Sequence, residues 1–159
     1  MNEPTWMEVA RQHIGLREIP GPEHNRTIQA WLAKLGAWWR DDETPWCGAL
    51  VAHCLQEARF PVPKDWYRAR AWAPYGVRVD PGVGAILVFR RPGGGGHVGF
   101  YAAEDPTAYH VLGGNQSNGV SVTRIAKSRL LDARWPAGAT VMAYRRFATA
   151  RGSVSDNEA

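Results

Sequence analysis

The sequence predicts an α+β fold, with N-terminal helices packed on a central antiparallel β-sheet. Three observations carry that reading. Hydrophobic residues recur at helical spacing up to about residue 60 and alternate after about residue 76. The links between the alternating runs are short, as antiparallel neighbours require. The 159 residues include 17 Gly and 11 Pro, and 45% are hydrophobic, which suits a loop-rich globular core rather than a helical bundle.

In "EPTWMEVARQHIG" a Pro stands at a helix start, Trp6, Val9, Ala10, His13 and Ile14 share one face, and Gly15 closes the turn. "LREIPGPEHN" is a loop. Residues 25–37 read as a second helix, with Asn25 as N-cap and Ile28, Trp31, Leu32 and Leu35 on its apolar stripe. "WCGALVAHCLQEARF" is a third, strongly apolar helix ended by Pro61. Strands are predicted over 83–91, 97–104, 108–114, 119–126 and 140–147. The polar tail 148–159 is expected to be disordered, leaving a single domain over 1–147.

The formal net charge is +4 and the pI near 9.4, which favours an anionic partner. The basic residues are scattered, so nucleic acid is not the expected partner. No stretch reaches the ~20 apolar residues of a membrane span. The first residues lack the basic and apolar regions of a secretory signal. Synthesis in the cytoplasm is therefore expected, with any export by another route.

Cys47 and Cys54 are the only cysteines. On one helix their Cα atoms stand about 10.5 Å apart, beyond the ~7 Å reach of a disulfide. Cys47 falls in the first turn, where outward N–H groups and the helix dipole favour a thiolate and could hold an oxyanion. Cys54, two turns deeper among Leu50, Val51 and Leu55, reads as packing. Of the histidines, His53 is turned off the Cys47 face and His13 lies within the first helix. His97, which opens a strand after "GGGG", is the candidate base. Asn115, after a Gly pair at a strand end, would orient it, although spacing alone fits a turn residue equally well. A zinc site is disfavoured by the absence of C-x-x-C, H-x-x-H and H-E-x-x-H, and no cofactor is expected.

Four blocks in one order, "EIPGPEHN" (18–25), "DETPWC" (42–47), "GGGGHVGFY" (93–101) and "VLGGNQS" (111–117), give a resemblance over roughly residues 5–135. The chain resembles the CHAP and NlpC-type cell-wall cysteine hydrolases, papain-like enzymes that cut peptidoglycan. The resemblance implies a papain-like fold with Cys47 as nucleophile, His97 as general base and acid, and Asn115 as orienting residue or oxyanion donor. Many CHAP relatives carry Glu where this chain has Gly113. Glu18, Asp42, Glu43, Trp46 and Gln116 stand in the matching blocks as candidates for lining the substrate groove; for Glu18, Asp42 and Glu43 the alternative is a role in structuring the loops. Trp38, Trp39, Trp66 and Trp72 are divided between groove and core.

The implied activity is amide hydrolysis in bacterial peptidoglycan, as amidase or endopeptidase, by a monomeric phage endolysin or antibacterial effector. Such a protein would act in the periplasm or cell wall after release or injection, with a holin, secretion machinery or an immunity protein as partner. The competing reading is a catalytically silent wall-binding or phage structural protein that kept the fold.

Overall fold

The computed structural model describes residues 2–42 and 44–158. Three helices precede the sheet: α1 (Thr5–Gln12), α2 (Arg26–Leu35) and α3 (Cys47–Glu57). Asn25 caps α2 as its sequence position requires, its side-chain oxygen accepting from the N–H groups of Thr27 and Ile28. Gly36 ends the same helix with φ 83°, a left-handed conformation that Gly adopts without steric cost. Helix α3 ends at Glu57, and Arg59 turns the chain with φ 67° before Pro61.

The six strands are β1 (Val77–Arg78), β2 (Ile86–Arg90), β3 (Gly96–Glu104), β4 (Ala108–Gln116), β5 (Gly119–Ala126) and β6 (Leu130–Trp135). They form one sheet in the order β1-β6-β2-β3-β4-β5, and every strand pair in it is antiparallel. The α+β class holds, with the helices N-terminal to the sheet. Leu50, Val51 and Leu55 of α3 join Val98, Phe100 and Leu112 of the sheet in one core, fully shielded from solvent. Trp6 of α1 reaches the turn that leads into β2, where its indole N–H donates to the Gly84 carbonyl at 2.8 Å.

One predicted strand is corrected. Residues 140–147 form no strand; the place beside β2 belongs to Leu130–Trp135, a stretch whose mixed polarity hid its pattern. The 140–147 run instead crosses the sheet as a strap. Its Tyr144 and Arg146 carbonyls accept from Val83 and Glu104 N–H, each at 2.8 Å, and one isolated bridge joins Glu104 to Phe147. The alternation of 140–147 does not bury one face: Val141, Met142 and Phe147 all remain exposed.

The 148–158 segment runs beside β5. Ser155 N–H donates to the Arg124 carbonyl at 2.8 Å, and the Glu158 carboxylate pairs with Arg129 at 2.9 Å. Among the described residues no helix is long and apolar enough to cross a membrane.

Candidate active site

Helix α3 begins at Cys47, with Trp46 as its N-cap residue. Gly48 follows for a steric reason: a Cβ there would stand 2.1 Å from the Trp66 carbonyl oxygen, so only Gly lets that backbone close against the helix start. On the sheet side, His97 lies near the beginning of β3 and is 1% exposed; Cys47 is 7% exposed. The thiol and the imidazole lie close enough for each to shift the other's titration.

Burial pushes the Cys47 thiol up, but the His97 hydrogen bond and charge, with backbone N–H groups of Val98 and Gly48, overcome it and hold it below its ordinary value. Burial likewise pushes His97 down, and the bond to Cys47, the thiolate charge and Gln116 overcome it, so the imidazole is held above its ordinary value. Both shifts favour the same species, a thiolate–imidazolium pair. Cys54 is the opposite case. It is fully buried, and burial first, then the charge of Glu57, push its thiol far up.

The position behind the imidazole is held by Gln116. Its Oε1 lies 2.9 Å from His97 Nε2, which leaves Nδ1 for the thiol. The Gln116 amide NH₂ is itself fixed, donating to the carbonyls of Val111 at 3.1 Å and Ser121 at 2.8 Å. With both amide donors so used, Oε1 is the atom left to face the ring, and a neutral imidazole would carry its proton on Nε2. Asn115, which the resemblance implies for this place, sends its Nδ2 to the Glu158 carbonyl at 3.0 Å.

Backbone conformation causes the exchange. Asn115 has φ 58°, and the β4–β5 register shifts between Gly113 and Gln116. The irregularity re-aims the side chains beyond it, as bulges do beside active sites. A Cβ on Gly113 would stand 2.4 Å from Gln116 Oε1 and 3.3 Å from His97 Nε2. The space a longer side chain at 113 would occupy is therefore filled by the Gln116 amide. The sequence signal was available in retrospect: a left-handed-prone Asn after Gly-Gly, followed at once by a residue with an amide oxygen.

The remaining residues expected to line a groove build the walls behind it. Trp46 is 1% exposed and donates its indole N–H to Glu18 Oε1 at 2.8 Å, tying the start of α3 to the 17–25 loop. Asp42 is fully buried; its carboxylate accepts from Ile19 N–H at 2.7 Å and Asn25 N–H at 2.6 Å, and His24 Nδ1 lies 3.0 Å away. Glu43 lies outside the described residues. Trp72 is core, whereas Trp38, Trp39 and Trp66 gather in a cleft beside Thr44 and Pro45.

Burial pushes the Asp42 carboxyl up, and the two backbone N–H groups with His24 overcome it, holding it below the ordinary 3.8. The folded state thus binds this proton more weakly than the unfolded chain. The stability Asp42 contributes is complete above the unfolded value and is lost as pH falls through the lower folded one. Asp42→Ala strands two backbone donors and should destabilise the protein by about 3 kcal/mol. Urea unfolding at neutral pH reads this directly; an unchanged midpoint would show that the 17–25 loop does not depend on the carboxylate.

The other histidines are engaged elsewhere. His13 and His53 stand 5.2 Å apart between ring centroids beside Trp31, and burial, then the charge of His13, lower His53 to about 4. His110 Nε2 lies 2.7 Å from Asp105 Oδ2. Among the described residues no group of three or more His, Cys, Asp or Glu is placed to hold a metal ion.

The arrangement can carry nucleophilic attack on a carbonyl: a thiol at a helix start held below its ordinary pKa, an imidazole against it held above its own, and a fixed amide oxygen behind. Residues 39–115 match the family model of the CHAP domain. No curated protein and no solved structure matches the chain.

Proposed function

We propose, from the match of residues 39–115 to the CHAP family model, that the chain hydrolyses an amide bond of bacterial peptidoglycan through Cys47, His97 and Gln116. A CHAP domain points to peptidoglycan hydrolysis in general; the thiol mechanism is supported by one observation, a buried cysteine at the start of α3 set against a buried imidazole that Gln116 holds from behind at 2.9 Å. The Cys47 thiolate attacks the amide carbon, and the oxyanion is taken by backbone N–H groups of the first turn of α3. The imidazolium gives its Nδ1 proton to the leaving nitrogen as the C–N bond breaks, which leaves a thioester and a neutral imidazole. The same nitrogen then takes a proton from water as the hydroxide adds to the thioester. Collapse releases the carboxylic acid and restores thiolate and imidazolium.

The test is digestion of purified peptidoglycan with products read by mass spectrometry. New amine termini are expected, their formation stopped by iodoacetamide and untouched by a chelator. No new termini would favour a silent wall-binding protein, and loss of activity with chelator would favour a metal enzyme.

A further inference from the structure

Beside the start of α3 lies a cleft of about 610 Å³, within the size range of small-ligand sites. Four aromatic rings form its walls. Trp39 is central: Trp38 meets it edge-on at 5.5 Å, Tyr67 edge-on at 5.6 Å, and Trp66 at 5.9 Å and a shallow 30°. Trp38 is 89% exposed and Tyr67 40%, a large apolar surface for the edge of a folded protein to leave in water. The rim is polar. Thr44 donates its hydroxyl to Asp41 Oδ1 at 2.8 Å, and Lys64 also lines the cleft.

Two features select the occupant. Among the described residues the lining holds one cation, Lys64, and one anion, Asp41, and is otherwise uncharged. A pyranose ring is neutral, with C–H groups on its faces and hydroxyls round its edge. That is the complement of flat aromatic walls with a polar rim. The cleft is also close to the chemistry: Pro45 in its wall precedes Cys47 by two residues, about 7 Å of chain at most.

We propose that this cleft binds a neutral N-acetylated hexopyranose of the glycan strand, and that the amide cut is the one joining the peptide to its sugar. The proposal rests on the peptidoglycan-hydrolase reading for its substrate. A sugar seated against Trp38 and Trp39 brings its own acyl arm to Cys47 and leaves bonds farther along the peptide beyond reach.

The experiment has two arms. In the first, Cys47→Ala protein is titrated calorimetrically with the tetramer of N-acetylglucosamine and with a sugar-free stem peptide. Saturable binding of the tetramer is expected, weakened at least tenfold by adding Trp38→Ala or Tyr67→Ala, with no binding of the peptide. Failure of the tetramer to bind, equal binding by both added variants, or tighter binding of the peptide overturns the cleft assignment. In the second arm, wild-type digests of intact peptidoglycan should yield peptides beginning with the amino acid formerly attached to the sugar. Termini only within the stem overturn the bond assignment. Tetramer binding without any hydrolysis sinks the enzymatic reading and leaves the cleft; hydrolysis without tetramer binding does the reverse.

Discussion

Cys47→Ala should lower amide hydrolysis by roughly 10⁴-fold or more, because removing the nucleophile of a coupled set leaves only binding and oxyanion contacts. The fold should survive, since the change deletes one small atom at a helix start. The buried imidazole should respond as well. Burial lowers His97, and the contact that most opposes this is Cys47 itself. In the Ala variant the His97 pKa should therefore fall below its wild-type value, a shift visible by NMR titration.

The pH profile of the wild type follows from the same pair. Activity should rise as the thiol ionises, below the ordinary 9.0, and fall as the imidazolium loses its proton, above the ordinary 6.5. Both limbs belong to the pair and not to either residue alone. Iodoacetamide should label Cys47 at neutral pH while Cys54 stays unlabelled until unfolding. Equal slow labelling of both, or labelling of Cys47 that climbs only near pH 9, would rule out an activated thiol.

Gln116→Ala should reduce kcat by about 10²-fold, the order expected when a reacting group is misplaced by an ångström. The amide oxygen at 2.9 Å is the hydrogen-bond partner of His97 Nε2, and it also helps hold the imidazole above its ordinary pKa. The variant should therefore move the alkaline limb to lower pH as well as lowering the maximum. A merely structural residue would change stability without moving that limb. Gln116→Glu keeps an acceptor oxygen toward the ring but sets its second oxygen against the Val111 and Ser121 carbonyls, so its alkaline limb should lie above that of Gln116→Ala at a cost in stability. Asn115→Ala is the contrasting variant: its amide goes to the Glu158 carbonyl and leaves the Gln116 bond in place, so its alkaline limb should move less than that of Gln116→Ala, by whatever the Glu158 charge beside His97 contributes. If the two variants exchange these behaviours, Asn115 is the orienting residue in solution.

Much of this was legible in the sequence because it rests on local rules. The Asn25 cap, the Cys47 helix start and four of the five predicted strands follow from spacing and backbone preference. What stayed hidden depends on contacts between distant segments. Leu130–Trp135 became a strand because β2 had a free edge to offer, and 140–147 did not because that edge was then taken. That Gln116 rather than Asn115 meets His97 turns on the left-handed backbone at 115, which sets which of two adjacent buried side chains reaches the ring. The groove role expected of Trp46 failed to foresee a bond to Glu18, 28 positions earlier in the chain.

At Gly113 and Gly114 the sheet has no side chains on either face. One side meets the His97 ring and the Gln116 amide, and a Cβ on the other would stand 2.7 Å from the Trp46 indole. A single peptide backbone is thus the whole partition between the reacting groups and the hydrophobic interior. Damage to the interior near Trp46 has nowhere to dissipate before it reaches the imidazole. In a screen of interior substitutions, those around this indole should reduce turnover at temperatures where the protein is still folded, whereas those around Trp6, at the sheet's other end, should reduce turnover only on melting.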